Sequence, residues 1–281
     1  MIKVVTDSTS GILPELAQQN DIRVVPLRVH FGRTTYKEGV DLSGEQFYKM
    51  LQEAPELPTT SQPPPADFAQ VFEELIGAGH EIVVITISSK LSGTYLSACQ
   101  ARDGFPDARI TVIDSLTTAV SLVMIAVEAA RAGAAGKPYE EVVTLVHRLI
   151  NENRLFFMVD TMEYLQKGGR IGRAAAFIGT LLDVKPILTV EDGQVSALDR
   201  VRTKKKGLRR LLSLIEQYFG TELPLSIGIM HAHSPEDARY LEELVRGRFQ
   251  CSKFYLGEVG PVVGTHTGPG ALGLAAFVDL L

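Results

Sequence analysis

Tryptophan is absent from the 281 residues, and cysteine occurs only twice. Cys99 and Cys251 are far apart and form no C-x-x-C pair, which excludes a zinc knuckle and a disulfide framework. Both are expected to be small buried hydrophobes in a reducing cytosol. No apolar run reaches the ~20 uninterrupted residues of a membrane span. The nearest, from Ala119 to Ala135, is broken by Ser121, Glu128, Arg131 and Gly133 and reads as a buried helix with a wet stripe. The opening MIKVVTDSTS loses its apolar run at Thr6-Asp7 and has no signal-peptide core, so a soluble, cytoplasmic protein is expected. Charge is not one-sided either. With 28 Lys and Arg against 33 Asp and Glu, the chain carries −5 and lacks a field that would gather phosphate backbones, so no nucleic-acid partner is expected.

What is present is an ordinary globular composition, 45% apolar and 22% charged, on a chain long enough for two domains. Strand patterns at 2–5 and 22–31, a helix at 13–19 and a Ser43-capped helix to Gln52 come first. A stiff, proline-dense loop follows at 58–65, then a helix at 67–76 and a strand at 81–87 (EIVVITI) that reads as buried on both faces. Segments 94–101, 109–113 and 116–132 continue the alternation, the signature of a mostly parallel sheet covered by helices. The second half differs. Runs 186–190 and 194–201 flank Asp192-Gly193, a strong hairpin signal, and a basic amphipathic helix follows at 204–218. The expected fold is a two-domain α/β protein. Residues 1–153 would form the parallel sheet flanked by helices, and 154–281 an α/β domain with a mixed or antiparallel sheet; the final strand could return to either.

Several common sites are missing. There is no P-loop, no G-x-S-x-G elbow and no H-E-x-x-H. Gly268, Gly270 and Gly273 match G-x-G-x-x-G, yet too little chain follows for a βαβ unit or a ribose-binding acid, which rules out a dinucleotide site. His231 and His233 end an apolar strand on one face and, with His266, make a metal-dependent hydrolase of a small substrate the alternative function. Thr6-Asp7-Ser8-Thr9 lacks the second acid of an aspartyl phosphatase, so Asp7 reads as an N-cap or loop anchor.

Two hydroxyl-rich segments remain: Thr59-Thr60-Ser61-Gln62-Pro63 and Ser88-Ser89-Lys90-Leu91-Ser92-Gly93-Thr94. The second lies between a buried strand and a helix, where an open α/β sheet places its binding crevice. A helix beginning near Thr94 aims unpaired N–H groups there, suiting a small anion such as a carboxylate. Two ordinary capping loops would look the same.

The sequence as a whole resembles the DegV family. The resemblance is carried by DST (7–9), TTSQP (59–63), SSKLSGTY (88–95), DS (114–115), YLQKGGRIG (164–172), KP (185–186), RVRTKKKGL (200–208) and GTHTGPGALG (264–273). It implies a non-catalytic carrier that binds a long-chain fatty acid and presents it to an ATP-binding fatty acid kinase subunit, which makes the acyl phosphate. In that family the carboxylate is held by residues matching Thr60 and Ser92, with His266 in the network; Ser61, Gly93 and Thr94 adjoin them, and Arg202 matches an arginine associated with docking the kinase. No cofactor other than the bound acid is implied.

Elementary energetics are compatible with that role. A dozen buried methylenes contribute ~10 kcal/mol, enough for tight binding without a cationic clamp. No arginine lies in either hydroxyl segment, and two hydroxyls hold a carboxylate without masking it. The mixed small and large residues at 174–182, with the neighbouring 155–158 (LFFM), are expected to line the acyl tunnel. Arg200, Arg202, Lys204, Lys205, Lys206, Arg209 and Arg210 form a basic patch. It reads as a solvated helix face, a docking surface for an acidic partner, or a transient contact with anionic membrane lipid.

Overall fold

The structure is a computed structural model that describes residues 1–180 and 184–279. It opens on β1 (Ile2–Asp7), which ends where Asp7 caps a short 3-10 turn, Ser8–Ser10. Asp7 Oδ1 accepts from Thr9 N at 3.0 Å and Oδ2 from Ile87 N at 2.7 Å, so the loop-anchor reading holds. Helix α1 (Pro14–Gln19) leads to β2 (Arg23–Val25), parallel to β1. The single strand expected at 22–31 is in fact two. The chain changes sheet at Pro26, which has no N–H for a ladder, and β3 (Arg28–Phe31) pairs antiparallel with β4 (Thr34–Lys37).

Helix α2 (Gly44–Glu53) starts under a capping box made by Ser43 and Gln46. The proline-dense stretch proves to contain a short strand, β5 (Thr59–Ser61), which joins β3 and sets Thr60 opposite Val29. Then come α3 (Pro65–Gly77), β6 (Glu81–Thr86), α4 (Thr94–Arg102) and β7 (Ile110–Asp114). They complete a parallel sheet of order β2-β1-β6-β7.

Helices α5 (Ala119–Ala134) and α6 (Tyr139–Glu152) lead to the second half. There β8 (Arg154–Met158), α7 (Glu163–Lys167) and a 3-10 segment, Gly172–Thr180, precede the hairpin of β9 (Lys185–Glu191) and β10 (Gln194–Val201). Asp192 and Gly193 both have positive φ, 49° and 78°, as the expected two-residue turn demands. Next are α8 (Lys204–Phe219), β11 (Pro224–His231), α9 (Pro235–Arg246), β12 (Gln250–Glu258), α10 (Pro261–Thr267) and β13 (Leu272–Val278). The resulting mixed sheet has the order β10-β9-β8-β13-β11-β12, so the final strand lies inside it. The architecture is the expected two-domain α/β class, a parallel sheet and a mixed sheet.

Helix α5 joins the two, packing on β1 to one side and on β11 and β13 to the other. Its expected wet stripe is corrected at Ser121 and Glu128, whereas Arg131 is exposed as expected. Glu128 is 0% exposed and meets Lys253 Nζ at 2.9 Å and Arg131 Nη1 at 3.0 Å, while Ser121 donates to Asn153 Oδ1 at 2.7 Å. A charge is tolerated inside the fold here because its partners come with it. One apolar core containing Val83, Met124 and Phe157 spans both sheets; a second lies under α8 and α9 and a third under α3 and α4. Cys99 and Cys251 are half-buried at the edges of the latter cores rather than buried, a further correction. Among the described residues, no helix is long and apolar enough to cross a membrane.

Candidate functional site

Between the two sheets lies an apolar cavity that opens to solvent at one mouth. Walls come from Val120 at the start of α5, Leu155 and Phe157 on β8, Val190 and Val195 on the β9–β10 hairpin, and Val262 on α10. Strand alternation divides the 155–158 run. Leu155 and Phe157 face the cavity, whereas Phe156 and Met158 belong to the core on the opposite face. Within the stretch 174–182 expected to line it, the described side chains do not: Ala174 is buried elsewhere, Ala175 and Ala176 are exposed, and none of these nor Phe177 borders the cavity. The side chains of residues 178–182 lie outside the described part of the chain.

The mouth is polar. Thr60 on β5 and His266 on α10 share a hydrogen bond of 2.8 Å between Oγ1 and Nε2, although the two belong to opposite ends of the chain. Burial, reinforced by the nearby positive charge of Arg170, pushes His266 down to about 4, so the ring is neutral at pH 7. It rests on Gly168, where any Cβ would overlap Nδ1, and that nitrogen is buried without a partner. Ser92 reaches the same cavity from the loop before α4, and its Oγ lies 2.9 Å from Thr94 Oγ1. Gly93 caps α4 at the point where a Cβ would stand 3.0 Å from Gln62 Nε2, so the absence of a side chain lets the two hydroxyl segments approach.

Of the six expected head-group residues, Thr60, Ser61, Ser92 and His266 therefore line the cavity. Gly93 and Thr94 stand behind them; Thr94 is buried with its hydroxyl against Ser92. Ser61 Oγ is engaged by His30 Nε2 at 2.9 Å. The expectation that no arginine attends the site is overturned. Arg170 lines the cavity, its Nε donating to Leu91 O at 3.1 Å and its Nη1 to Gly168 O at 2.7 Å. Folding carries it there from the turn after α7. The one available signal was its place in the GGR of 168–170, just beyond the paired glycines that shape the turn.

Other candidates lie elsewhere. Arg202 is exposed in the turn between β10 and α8, outside the cavity. Within the basic patch, Lys204 pairs with Asp237 and Arg210 with Asp199, at 2.8 and 2.7 Å. The three histidines of the hydrolase alternative have separate engagements. His231 Nδ1 accepts from Ser234 N, His233 stacks on Tyr48 and His266 bonds Thr60. Among the described residues, no three His, Cys, Asp or Glu side chains converge in a group that could hold a metal. Gly268 and Gly270 turn α10 into β13 at positive φ, with Asp160 packed where a Cβ of Gly270 would fall.

Fold and site together define a two-domain α/β protein built around an apolar cavity whose mouth carries hydroxyls, a neutral imidazole and one guanidinium. The chain belongs to the DegV family, whose model, described as "Uncharacterised protein, DegV family", matches residues 1–279. It is similar to a Thermus thermophilus DegV family protein described by its fatty acid binding, at 34% identity and a TM-score of 0.93, over 99% of each chain. It also resembles DegV of Bacillus subtilis, a fatty acid binding protein, at 35% identity and a TM-score of 0.91, again over 99% of each. A stearic acid-binding protein from Eubacterium ventriosum matches at 28% identity and a TM-score of 0.89, over 99% of this chain and 98% of that one.

Proposed function

We propose that this protein is a cytoplasmic, non-catalytic carrier of a long-chain fatty acid. The carboxylate is received at Thr60 and Ser92, with His266 beside them and Arg170 supplying positive charge; the tail occupies the apolar cavity. The observation that carries this reading is the joining of a neutral Thr60–His266 pair to an otherwise apolar cavity between the sheets. A dozen buried methylenes contribute ~10 kcal/mol, and several are offset by the cost of association, so the tail supplies affinity and the head group orientation. The division between the two domains is placed at residues 153/154.

The same reading includes delivery. The bound acid is presented to an ATP-dependent kinase subunit that converts it to an acyl phosphate, with exposed Arg202 on the docking face. The basic face of α8 can also make transient contact with anionic lipid while the acid is exchanged. Native mass spectrometry of the purified chain, alone and with added hexadecanoate, tests the binding step. One acid per chain is expected; absence of any bound acid would overturn it. The delivery step is tested by adding the kinase subunit and ATP: the Thr60→Ala/Ser92→Ala double variant should form acyl phosphate much more slowly, and an unchanged rate refutes the assigned head-group site.

A further inference from the structure

A second depression lies on the same face of the mixed sheet, between α1 and the edge strand β12, bordered by Leu16, Val123 and Tyr255 and by the charged Arg131 and Lys253. Val120 and Met230 line both this groove and the acyl cavity. The strand register explains how two side chains come to separate two spaces. Met230 on β11 is paired with Gly273 of β13 on one side and with Gly257 of β12 on the other. Paired residues project to the same face of a sheet, so this row carries a side chain only at its middle. Gly273 borders the acyl cavity and Gly257 the groove. The thioether end of Met230 is accommodated in turn by glycine: a Cβ on Gly11 would lie 2.8 Å from its Cε, and one on Gly257 3.5 Å.

We propose that the groove is a distal acyl subsite, and that Met230, beside the fixed wall of Val120, is the movable partition that decides how long an acid the protein accepts. The proposal rests on the fatty-acid reading of the cavity and names the ligand further: saturated chains that outgrow the cavity extend past Met230 along the glycine row, their terminal carbons lying between α1 and β12. Methionine suits a partition because it is unbranched and readily changes rotamer, whereas a β-branched residue would close the row rigidly. Glu15, Arg131 and Lys253 also border the groove, so the hydrocarbon end is confined to the side lined by Leu16, Val123 and Met230. Each additional methylene that finds cover in the groove multiplies affinity by a factor of about four.

Displacement titrations with hexadecanoate, eicosanoate and docosanoate on the full chain test this. Met230→Ala should raise the affinity ratio of eicosanoate to hexadecanoate at least about tenfold over that of the native chain. Adding Leu16→Trp, which fills the groove from α1, should cancel the gain; Leu16→Trp alone should leave hexadecanoate binding unchanged. Should the strand variant fold poorly, the native chain is tested directly with eicosanoate carrying a photoreactive diazirine at its terminal carbon. Crosslinks to Leu16, Val123 or Tyr255 are expected. An unchanged ratio in Met230→Ala, a gain that survives Leu16→Trp, or crosslinks confined to Leu155 and Phe157 overturns the subsite while leaving the carrier function standing. Failure of the native chain to bind hexadecanoate overturns both.

Discussion

Replacing Thr60 by valine removes one hydroxyl and almost nothing else, which makes it the sharpest probe of the mouth. The hydroxyl bonds His266 Nε2 at 2.8 Å, and His266 Nδ1 already has no partner, so the variant leaves a neutral imidazole with both nitrogens unpaired. An unsatisfied buried polar group costs ~1–3 kcal/mol, so the thermal midpoint of the ligand-free protein should fall by several degrees. On binding, the variant also forfeits a hydrogen bond to a charged group, ~1.5–3 kcal/mol, or roughly 10- to 150-fold in affinity for hexadecanoate. The apolar walls at Leu155, Phe157 and Val195 are untouched, so the ~10 kcal/mol from the tail persists. Methyl hexadecanoate, which has the tail and no charge, should lose less than about threefold. Isothermal titration of both ligands against both proteins measures the two losses. Equal losses for acid and ester, or no loss for the acid, would refute the assignment of Thr60 to the carboxylate.

Buried acids make a second group of expectations. Burial raises Glu38 to about 7, although Ser8 and Val262 N donate to it, and burial likewise raises Asp7 to about 6. A carboxyl that holds its proton more tightly when folded contributes stability at low pH and loses it as pH rises, here between about 4.5 and 7 for Glu38. Glu38→Gln should therefore gain stability relative to the native protein on going from pH 5 to pH 8, by roughly 3 kcal/mol, read from denaturant midpoints; a constant difference contradicts it. Lys253→Met leaves fully buried Glu128 with Arg131 as its remaining ion-pair partner and should cost ~2–4 kcal/mol of stability by urea unfolding; a neutral result would show that solvent reaches the site. Arg202→Glu should slow acyl phosphate formation with the kinase subunit while leaving hexadecanoate affinity unchanged; loss of both would assign Arg202 to the ligand or to folding instead.

Local chemistry explains what was legible before the structure. The Asp192-Gly193 hairpin, the Ser43 cap and the strand–helix alternation of the first half each depend on residues a few positions apart. Motif resemblance singled out Thr60, Ser92 and His266, which line one cavity and which periodicity alone could not have joined. Distant partners defeated the same reading. Glu128 looked solvated because Lys253 and Tyr255, which make its burial tolerable, arrive from β12. The 22–31 run looked like one strand because alternation reveals a face but not a sheet, and Pro26 moves the chain between two. The 174–182 run was chosen for its composition, yet residues 174–177 leave the wall to every second residue of β8 and to the β9–β10 hairpin. Arg170 was missed because its neighbours at the site are distant in sequence.

Arg170 also bears on why the proposed mouth suits a carrier. An arginine facing a carboxylate ordinarily grips both oxygens through a two-donor edge, which would hide the group a kinase must reach. Here Nε is committed to Leu91 O and one Nη1 hydrogen to Gly168 O, so the Nε–Nη2 edge has one donor already spent. What remains is positive potential with one fork fewer. The same potential, with burial, keeps His266 uncharged and so prevents a second cation from forming a tight ion pair in the mouth. In the proposed site, orientation falls to the hydroxyls of Thr60 and Ser92, single donors that leave carboxylate lone pairs free, while retention falls to the hydrocarbon walls. Tight holding and chemical accessibility conflict when one set of contacts supplies both; the proposed arrangement assigns them to opposite ends of the ligand.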